Sequence, residues 1–458
     1  MRIGLVSFAW TDQHGGGLRS HVQDLAHDLA ELGDEVIVHC VNTDPSQPPF
    51  ETRSWKEGRI HVHELNYAYQ NSSTLFDFQS APQIETILTT WAEREQPDLI
   101  HIHHNLFIGM GATPALAAHA PTVTSLHDYW PLDPCGQLFD GHSGQSITST
   151  EAWEACAAMA WPHLIQRSHG CHNYFSQAPF TDQNKPADLR QSWVNYSRTC
   201  LSSSQTLITP SKASASIFRT QGIKQPITVI ENGINTNNLA NGLHIDHGLG
   251  KTPEGPIKLA VLGNITPPKG QLAFCKACLK LPIRKQLKIS LHGSFPSTYH
   301  GDKSSQEALE KLWIGHPDLV EYKGNYERTQ LRDILASNDL AVVPSIWEEV
   351  YGLVARECLC YGLPLITTTA GGLAELQNVG NVLILNHQNP DRWHEFLHEA
   401  FENGPLMKWI YHRRQGLHNS IHQPRSSMDC CLELRKIYAD LLNPQAKAPA
   451  LSQARSKS

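Results

Sequence analysis

Residues 344–375 read PSIWEEVYGLVARECLCYGLPLITTTAGGLAE. The run before them, Leu340–Val343, is short and apolar and reads as a buried strand ending at Pro344 and Ser345. Two carboxylates follow, Glu349 and Glu357, with seven residues between them (350–356). Gly352 lies between the two and is expected to open a helix. The backbone amides of Gly352, Leu353 and Val354 would then be first-turn donors. Together with the positive end of the helix dipole they suit a diphosphate. Glu349, just before the helix, is placed to reach a sugar, and Glu357, a turn or more inside, to accept hydrogen bonds from ribose hydroxyls. An amphipathic helix carrying two surface acids is the competing reading of the spacing alone.

Outward from this stretch, short apolar runs alternate with helical patterns. Upstream in the same half lie Ile257–Leu262, Leu287–His292 and Val320–Tyr322; downstream lie Leu365–Thr368 and Val382–Leu385. In the other half Arg2–Ala9 reads as a strand, and Leu18–Leu32 as a helix with apolar Leu18, Val22, Leu25, Leu29 and Leu32 at a 3.6-residue period. Gly33 is the helix stop and Glu35–Cys40 the next strand. Leu99–His103, Thr122–Leu126 and Thr206–Thr209 complete the strand candidates. This rhythm predicts an α/β protein with two doubly wound, Rossmann-like domains and a site in the cleft at the strand carboxyl ends.

The predicted boundaries place the first domain at 1–235, with an insertion rich in Cys, His and Trp at about 129–200. A polar, Gly-rich linker follows at 236–256, then the second domain at 257–427. Residues 428–443 are expected to form a helix returning to the first domain, and 444–458 a disordered tail.

The chain has 458 residues with 37 Lys and Arg against 44 Asp and Glu, a net charge of −7. That balance argues against a nucleic-acid partner. The N-terminus lacks a signal-peptide pattern, and no run reaches the ~20 apolar residues of a membrane span. The 11 cysteines show no scaffold spacing, so reduced thiols and a cytoplasmic location are expected. Peripheral contact with the inner face of a membrane stays open, as does the oligomeric state.

The 344–375 segment resembles the retaining GT-B glycosyltransferases, in particular the large family 4. Those proteins show Pro-Ser, then Glu, an aromatic, Gly-Leu-Val, Glu, Gly-Leu-Pro and Gly-Gly-x-x-Glu. Here the aromatic is Tyr351, the Gly-Leu-Pro is Gly362–Leu363–Pro364, and the last element is Gly371, Gly372 and Glu375. The resemblance implies a GT-B fold, a nucleotide-diphosphate sugar as donor substrate, a hydroxyl acceptor, and neither cofactor nor essential metal. The lack of an Asp-x-Asp element in a strand-end loop agrees with the last point.

Further site residues follow from the same resemblance. Val261–Gly270 reads VLGNITPPKG, where the family has Gly-Arg, a short gap, then Lys-Gly. Lys269 is kept and is expected to stabilise the leaving diphosphate; Asn264 stands where Arg is usual, brings no charge, and is expected to bind the donor by hydrogen-bonding a phosphate through its amide. Such a charge-stabilising donor is worth ~2.7–4 kcal/mol against ~0.3–1 for a helix end. Gly15–Gly17 looks like the family's N-domain glycine loop, with Gly16 and Gly17 near the donor. A dinucleotide fingerprint is the rival reading, but its third glycine is missing. His127 follows a strand end and matches a family His beside the donor sugar, with Asp128 to orient it. His101, His103 and His104 crowd the neighbouring strand end, and His103, His104 and Asp128 are carried as acceptor-side contacts. VIENGIN at 229–235 marks the domain junction, with Asn235 replacing the family's Asp.

Cys135, His142, Cys156, His163, His169, Cys171 and His172 fall in the insertion, but without the short Cys-x-x-Cys elbows of a zinc site. Cys275 and Cys278 sit at helical spacing and read as core. The expected function is retaining sugar transfer in polysaccharide or glycoconjugate synthesis, with Glu349, Lys269 and His127 at the reacting centre. A sugar-nucleotide epimerase on the same fold and a catalytically degenerate binding protein are the alternatives; a glycogen-type phosphorylase would need a pyridoxal lysine that cannot be placed.

Overall fold

Strand after strand is buried along its length, as expected where helices cover both faces of a sheet. The computed structural model describes residues 1–8, 10, 16–44, 46–67, 75–140, 144–147, 149–160, 189–235, 255–295, 303–415 and 425–443. Nearly all of the linker (236–254), the tail from 444, residues 11–15, and the insertion residues His142, His163, His169, Cys171 and His172 lie outside the described residues.

In the first half, β1 (Arg2–Val6), β2 (Glu35–Asn42), β3 (Thr52–Glu57), β4 (Ile60–Asn66), β5 (Leu99–Ile102) and β6 (Thr122–Ser125) are followed by a two-stranded ribbon. The ribbon pairs β7 (Phe139–Asp140) with β8 (Gln145–Ser146) and belongs to the insertion. β9 (Thr206–Thr209) and β10 (Ile227–Val229) rejoin the main sheet. Its order is β10-β9-β6-β5-β1-β2-β4-β3, parallel except for the β3–β4 pair. Residues alternate between its faces. Val6, Ile37 and Ile100 pack with Trp91 and Phe218. Ile3, Leu5, Val36 and Val38 pack with Leu25 and Leu29 of α1 (Gly17–Glu31).

The second half repeats the plan. β11 (Ile257–Leu262), β12 (Leu287–His292), β13 (Val320–Gly324), β14 (Leu340–Val342), β15 (Leu365–Thr368) and β16 (Val382–Leu385) form a parallel sheet ordered β13-β12-β11-β14-β15-β16. Leu259, Val261, Ile289 and Leu291 face Phe274 and Trp393, with Cys275 and Cys278 buried in the same cluster. Ala260, Leu262, Ala341 and Val343 face Leu359 of α2 (Leu353–Cys360). Two sheets, the second parallel and the first parallel but for its β3–β4 edge, with helices packed on both faces, make this an α/β protein of two Rossmann-like halves.

The last described helix, α3 (Ser427–Leu442), returns to the first half. Cys430, Cys431, Leu434 and Tyr438 pack with Val22, Leu25 and Leu29, and Arg435 Nε donates to Asp34 Oδ2 at 2.7 Å. Among the described residues no helix is long and apolar enough to cross a membrane.

Several local expectations shift. β1 ends at Val6 rather than Ala9, and α1 begins at Gly17. The β3–β4 hairpin was not expected: β3 reads TRSWKE and is exposed at five of six positions, so it carries no apolar signature.

Candidate functional site

In the second sheet the chain order reverses between β11 and β14, so the loops leaving their carboxyl ends open into one crevice. The Ile346 amide donates to the Pro268 carbonyl at 2.8 Å and stitches the two loops together. Across that stitch Lys269 Nζ donates to Glu349 Oε1, which also accepts from Ser345 Oγ at 2.7 Å. The ammonium lies 5.1 Å from the Trp347 ring centroid, within cation–π range. Glu349 is buried, and both of these donors meet it at Oε1.

The turn from Glu349 into α2 is clamped from behind. The Gly372 amide donates to the Glu349 carbonyl at 2.6 Å. Arg356, buried, donates to the Tyr351 and Gly372 carbonyls and stacks 3.7 Å from the Tyr351 ring centroid. Tyr351 Oη donates to the Asn232 carbonyl at 3.0 Å, tying the turn to the first half. Gly352 caps α2 in the left-handed region (φ 81°), leaving the first-turn amides at the cleft.

The cleft holds about 250 Å³ and is lined from both halves. Lys269, Trp347, Glu349 and Gly352–Val354 form one wall; Gly17, Leu18, His127, Pro210 and Asn232 form the other. A Cβ on Gly17 would stand 2.7 Å from Leu353 Cδ1, so the halves nearly touch there. Two further contacts join them. Glu375 Oε1 accepts from the Ala213 amide at 3.0 Å, in the first turn of the helix Lys212–Thr220. Arg328 Nη1 donates to Asp24 Oδ2 at 3.1 Å.

His127 stands at the carboxyl end of β6, its Nε2 3.2 Å from Nδ1 of His103. Burial, and then the neighbouring imidazoles, hold both rings well below the ordinary histidine range. His21 on α1 is lowered to about 4 by burial. These rings are neutral at neutral pH.

Seven of the residues singled out by the sequence therefore line one cleft: Gly17, His127, Lys269, Glu349, Gly352, Leu353 and Val354. Others lie apart. Gly16 precedes the wall and does not line it, and Asn264 is exposed, offering its carbonyl to Gln271 Nε2 at 3.0 Å. Glu357 faces Arg328, Oε1 to Nε 3.6 Å, and burial raises its carboxyl above the usual range. Asp128 does not orient His127: its Oδ2 accepts from His104 Nε2 at 2.7 Å and its Oδ1 from the Trp130 amide. The Leu106 amide donates to His104 Nδ1 at 2.9 Å, which fixes the proton of neutral His104 on Nε2. His103 is fully buried behind His127, and His101 is engaged by Tyr438 Oη and Ser125 Oγ, so neither presents a face to an acceptor. Ser345, Trp347, Arg356 and Arg328 had no role assigned from the sequence; only the Pro-Ser pair after a strand end hinted at the first.

A larger hollow of about 640 Å³ is lined by Ile265–Pro267, Gly270–Ala273, Lys276 and Phe295, and none of the candidate residues reaches it.

Comparison with known proteins matches both halves. The family described as Glycosyltransferase Family 4 matches residues 15–238, and Glycosyl transferases group 1 matches residues 247–415. An MMP alpha-(1->4)-mannosyltransferase of Mycolicibacterium hassiacum is 22% identical over 399 residues, covering 82% of this chain and 83% of that one. A glycogen synthase of Mycobacterium tuberculosis is 26% identical over 394 residues, covering 82% and 80%. Among solved structures, sucrose-phosphate synthase from Thermosynechococcus elongatus superposes with a TM-score of 0.63 at 16% identity, over 97% of this chain and 100% of that one. Anabaena HepE in complex with UDP and glucose gives 0.59 at 18% identity, over 96% and 99%.

Proposed function

Because the chain belongs to the family 4 glycosyltransferases of GT-B fold, we propose that it moves a sugar from a nucleotide-diphosphate donor to a hydroxyl acceptor with retention at the anomeric carbon. The observation that carries this reading is the convergence of Lys269, Glu349 and the first-turn amides of α2 on one cleft facing His127.

In this reading the diphosphate lies against Lys269 and the amides of Gly352, Leu353 and Val354. Lys269, already paired with Glu349, then bridges that carboxylate and the phosphate. Glu349 keeps an oxygen for the sugar hydroxyls, and His127 donates or accepts at a sugar hydroxyl from the opposite wall. The bond between the anomeric carbon and the phosphate oxygen breaks as the acceptor oxygen bonds to the same face. The acceptor's proton passes to the departing phosphate oxygen, and charge on that phosphate is met by Lys269. Closure of the two halves excludes water and limits donor hydrolysis. Relatives named as a mannosyltransferase and a glycogen synthase support saccharide or polysaccharide acceptors. Free thiols at the described cysteines support a reducing, cytoplasmic compartment.

A thermal-shift screen with uridine, guanosine and adenosine diphosphates tests the donor site. A ligand at 100 times its dissociation constant adds about 2.7 kcal/mol. One base should stabilise the protein and the others less; no shift with any diphosphate or its sugar ester removes the assignment. Incubation of a radiolabelled donor without acceptor separates transfer from epimerisation, and the anomeric coupling of the product tests retention.

A further inference from the structure

The first sheet has its own reversal of chain order, between β1 and β5. Three histidines gather there: His21 on α1 after β1, His103 after β5, and His127 after β6. One ring nitrogen from each lies within 4.8 Å of the others. We propose that His21, His103 and His127 form a site for a divalent transition cation of the zinc class, opening into the cleft through His127.

The geometry fits such an ion. Two nitrogens each about 2.0–2.1 Å from a tetrahedral metal stand about 3.3 Å apart. His103 Nδ1 and His127 Nε2 are 3.2 Å apart, already at that spacing, and the hydrogen bond that now joins them gives way when an ion enters. The third ring closes the remaining gap by a small shift of its helix turn or rotamer.

The chemistry fits as well. All three donors are imidazoles, the ligand set that suits zinc, cobalt, nickel and copper rather than magnesium or calcium. Each imidazole offers one lone pair once its proton sits on the other ring nitrogen, so three rings can supply three ligand atoms. Three protein nitrogens leave the fourth tetrahedral position to water or to a ligand oxygen in the cleft. His21 and His103 are buried and His127 is half-buried and lines the cleft, so the cleft is the way in.

The site stands on these positions alone. One consequence rests on the proposed function: a cation held by His127 withdraws that nitrogen from the donor sugar and should inhibit transfer.

The test uses the full chain without a histidine tag. Equilibrium dialysis against Co²⁺ should give one ion per chain with the visible absorption of a four-coordinate site. His21→Gln and His103→Gln should each weaken binding by at least roughly 10–100-fold, the scale of even outer-shell changes at metal sites. Cys135→Ser should leave it unchanged. Cys135 Sγ lies 3.2 Å from Cys156 Sγ and is the competing binding place. If the histidine variants do not fold, X-ray absorption on the zinc-loaded wild type decides. Three nitrogens at about 2.0–2.1 Å support the site; sulfur at about 2.3 Å overturns it. Absence of cobalt binding, or equal binding by folded His21→Gln and His103→Gln, overturns it too. These readouts need no sugar substrate, so a failure here leaves the transferase reading untouched, and a failure of that reading leaves the metal site standing.

Discussion

Lys269 and Glu349, 80 residues apart in the chain, meet in an ion pair across the reversal point of the second sheet. The pair exists because β11 and β14 are neighbours whose loops leave on the same edge. Removing the lysine leaves Glu349 buried with Ser345 as its remaining donor at Oε1. We expect Lys269→Ala to lower turnover by ~10²–10³, the scale of losing one preorganised charge-stabilising group. Steady-state kinetics with the identified donor check this, and near-normal turnover would show that the diphosphate binds elsewhere.

Glu357 is the second carboxylate of the quoted stretch, and it faces Arg328 rather than the cleft wall. Arg328 also reaches Asp24 on α1. A ribose binding there must compete with this cation. Glu357→Ala should weaken donor binding by about tenfold, or ~1.4 kcal/mol, with kcat little changed. Calorimetric titration of the donor is the measurement, and an unaltered dissociation constant takes Glu357 out of the site.

Gly371 is the backstop of Glu349. It has φ 52°, and a Cβ there would lie 2.2 Å from the Glu349 carbonyl oxygen and 2.7 Å from its amide nitrogen. The obstacle is backbone, so it cannot swing aside. Gly371→Ala should cost roughly 1–3 kcal/mol of stability and displace the turn that carries Glu349. A urea midpoint combined with kcat should show activity falling more than stability alone explains. Wild-type values for both would mean that the turn is not held as described.

His39 on β2 supplies a pH test away from the cleft. Burial lowers its imidazole from 6.5 to about 3. The unfolded chain therefore takes up this proton first as the solution is acidified. The associated stability is complete above pH 6.5 and is lost as pH falls toward about 3, at up to ~1.4 kcal/mol per unit. His101 is lowered to about 3 and His292 to about 4 by the same cause, so the effects accumulate. The wild-type Tm should drop steeply between pH 7 and pH 5, and His39→Gln should flatten that slope. Parallel curves for the two proteins would refute the burial argument.

Most of the second sheet was legible because its strands are largely apolar runs set off by Gly, Pro or polar residues; Ile257–Leu262, Leu287–His292, Leu365–Thr368 and Val382–Leu385 are read with their observed ends, whereas β13, with exposed Glu321 and Lys323, runs two residues past the expected Tyr322. β3 was not, because an exposed edge strand has no face to bury. The site divided along the same line. Lys269, Glu349 and the α2 amides sit at strand ends that sequence patterns locate, and they share the cleft. Their partners depend on which side chains tertiary packing brings near. His21 sits beside Val22 in the apolar stripe of α1 and reads as part of a helix; only the adjacency of β1, β5 and β6 brings it to His103 and His127. The assignment of Asp128 to His127 failed for the same reason, since His104 on the adjacent loop reaches that carboxylate.

α3 comes after the entire second sheet in the chain, yet Tyr438 and Leu434 fill the core beside α1, and Tyr438 Oη holds His101 at 2.6 Å. On the ribosome, the earlier-made half must therefore wait, with part of its interior open to water, until some two hundred further residues have emerged, counting from 235 to 442. Truncation near residue 425 would trap it in that unfinished state, a natural target for chaperones and proteases.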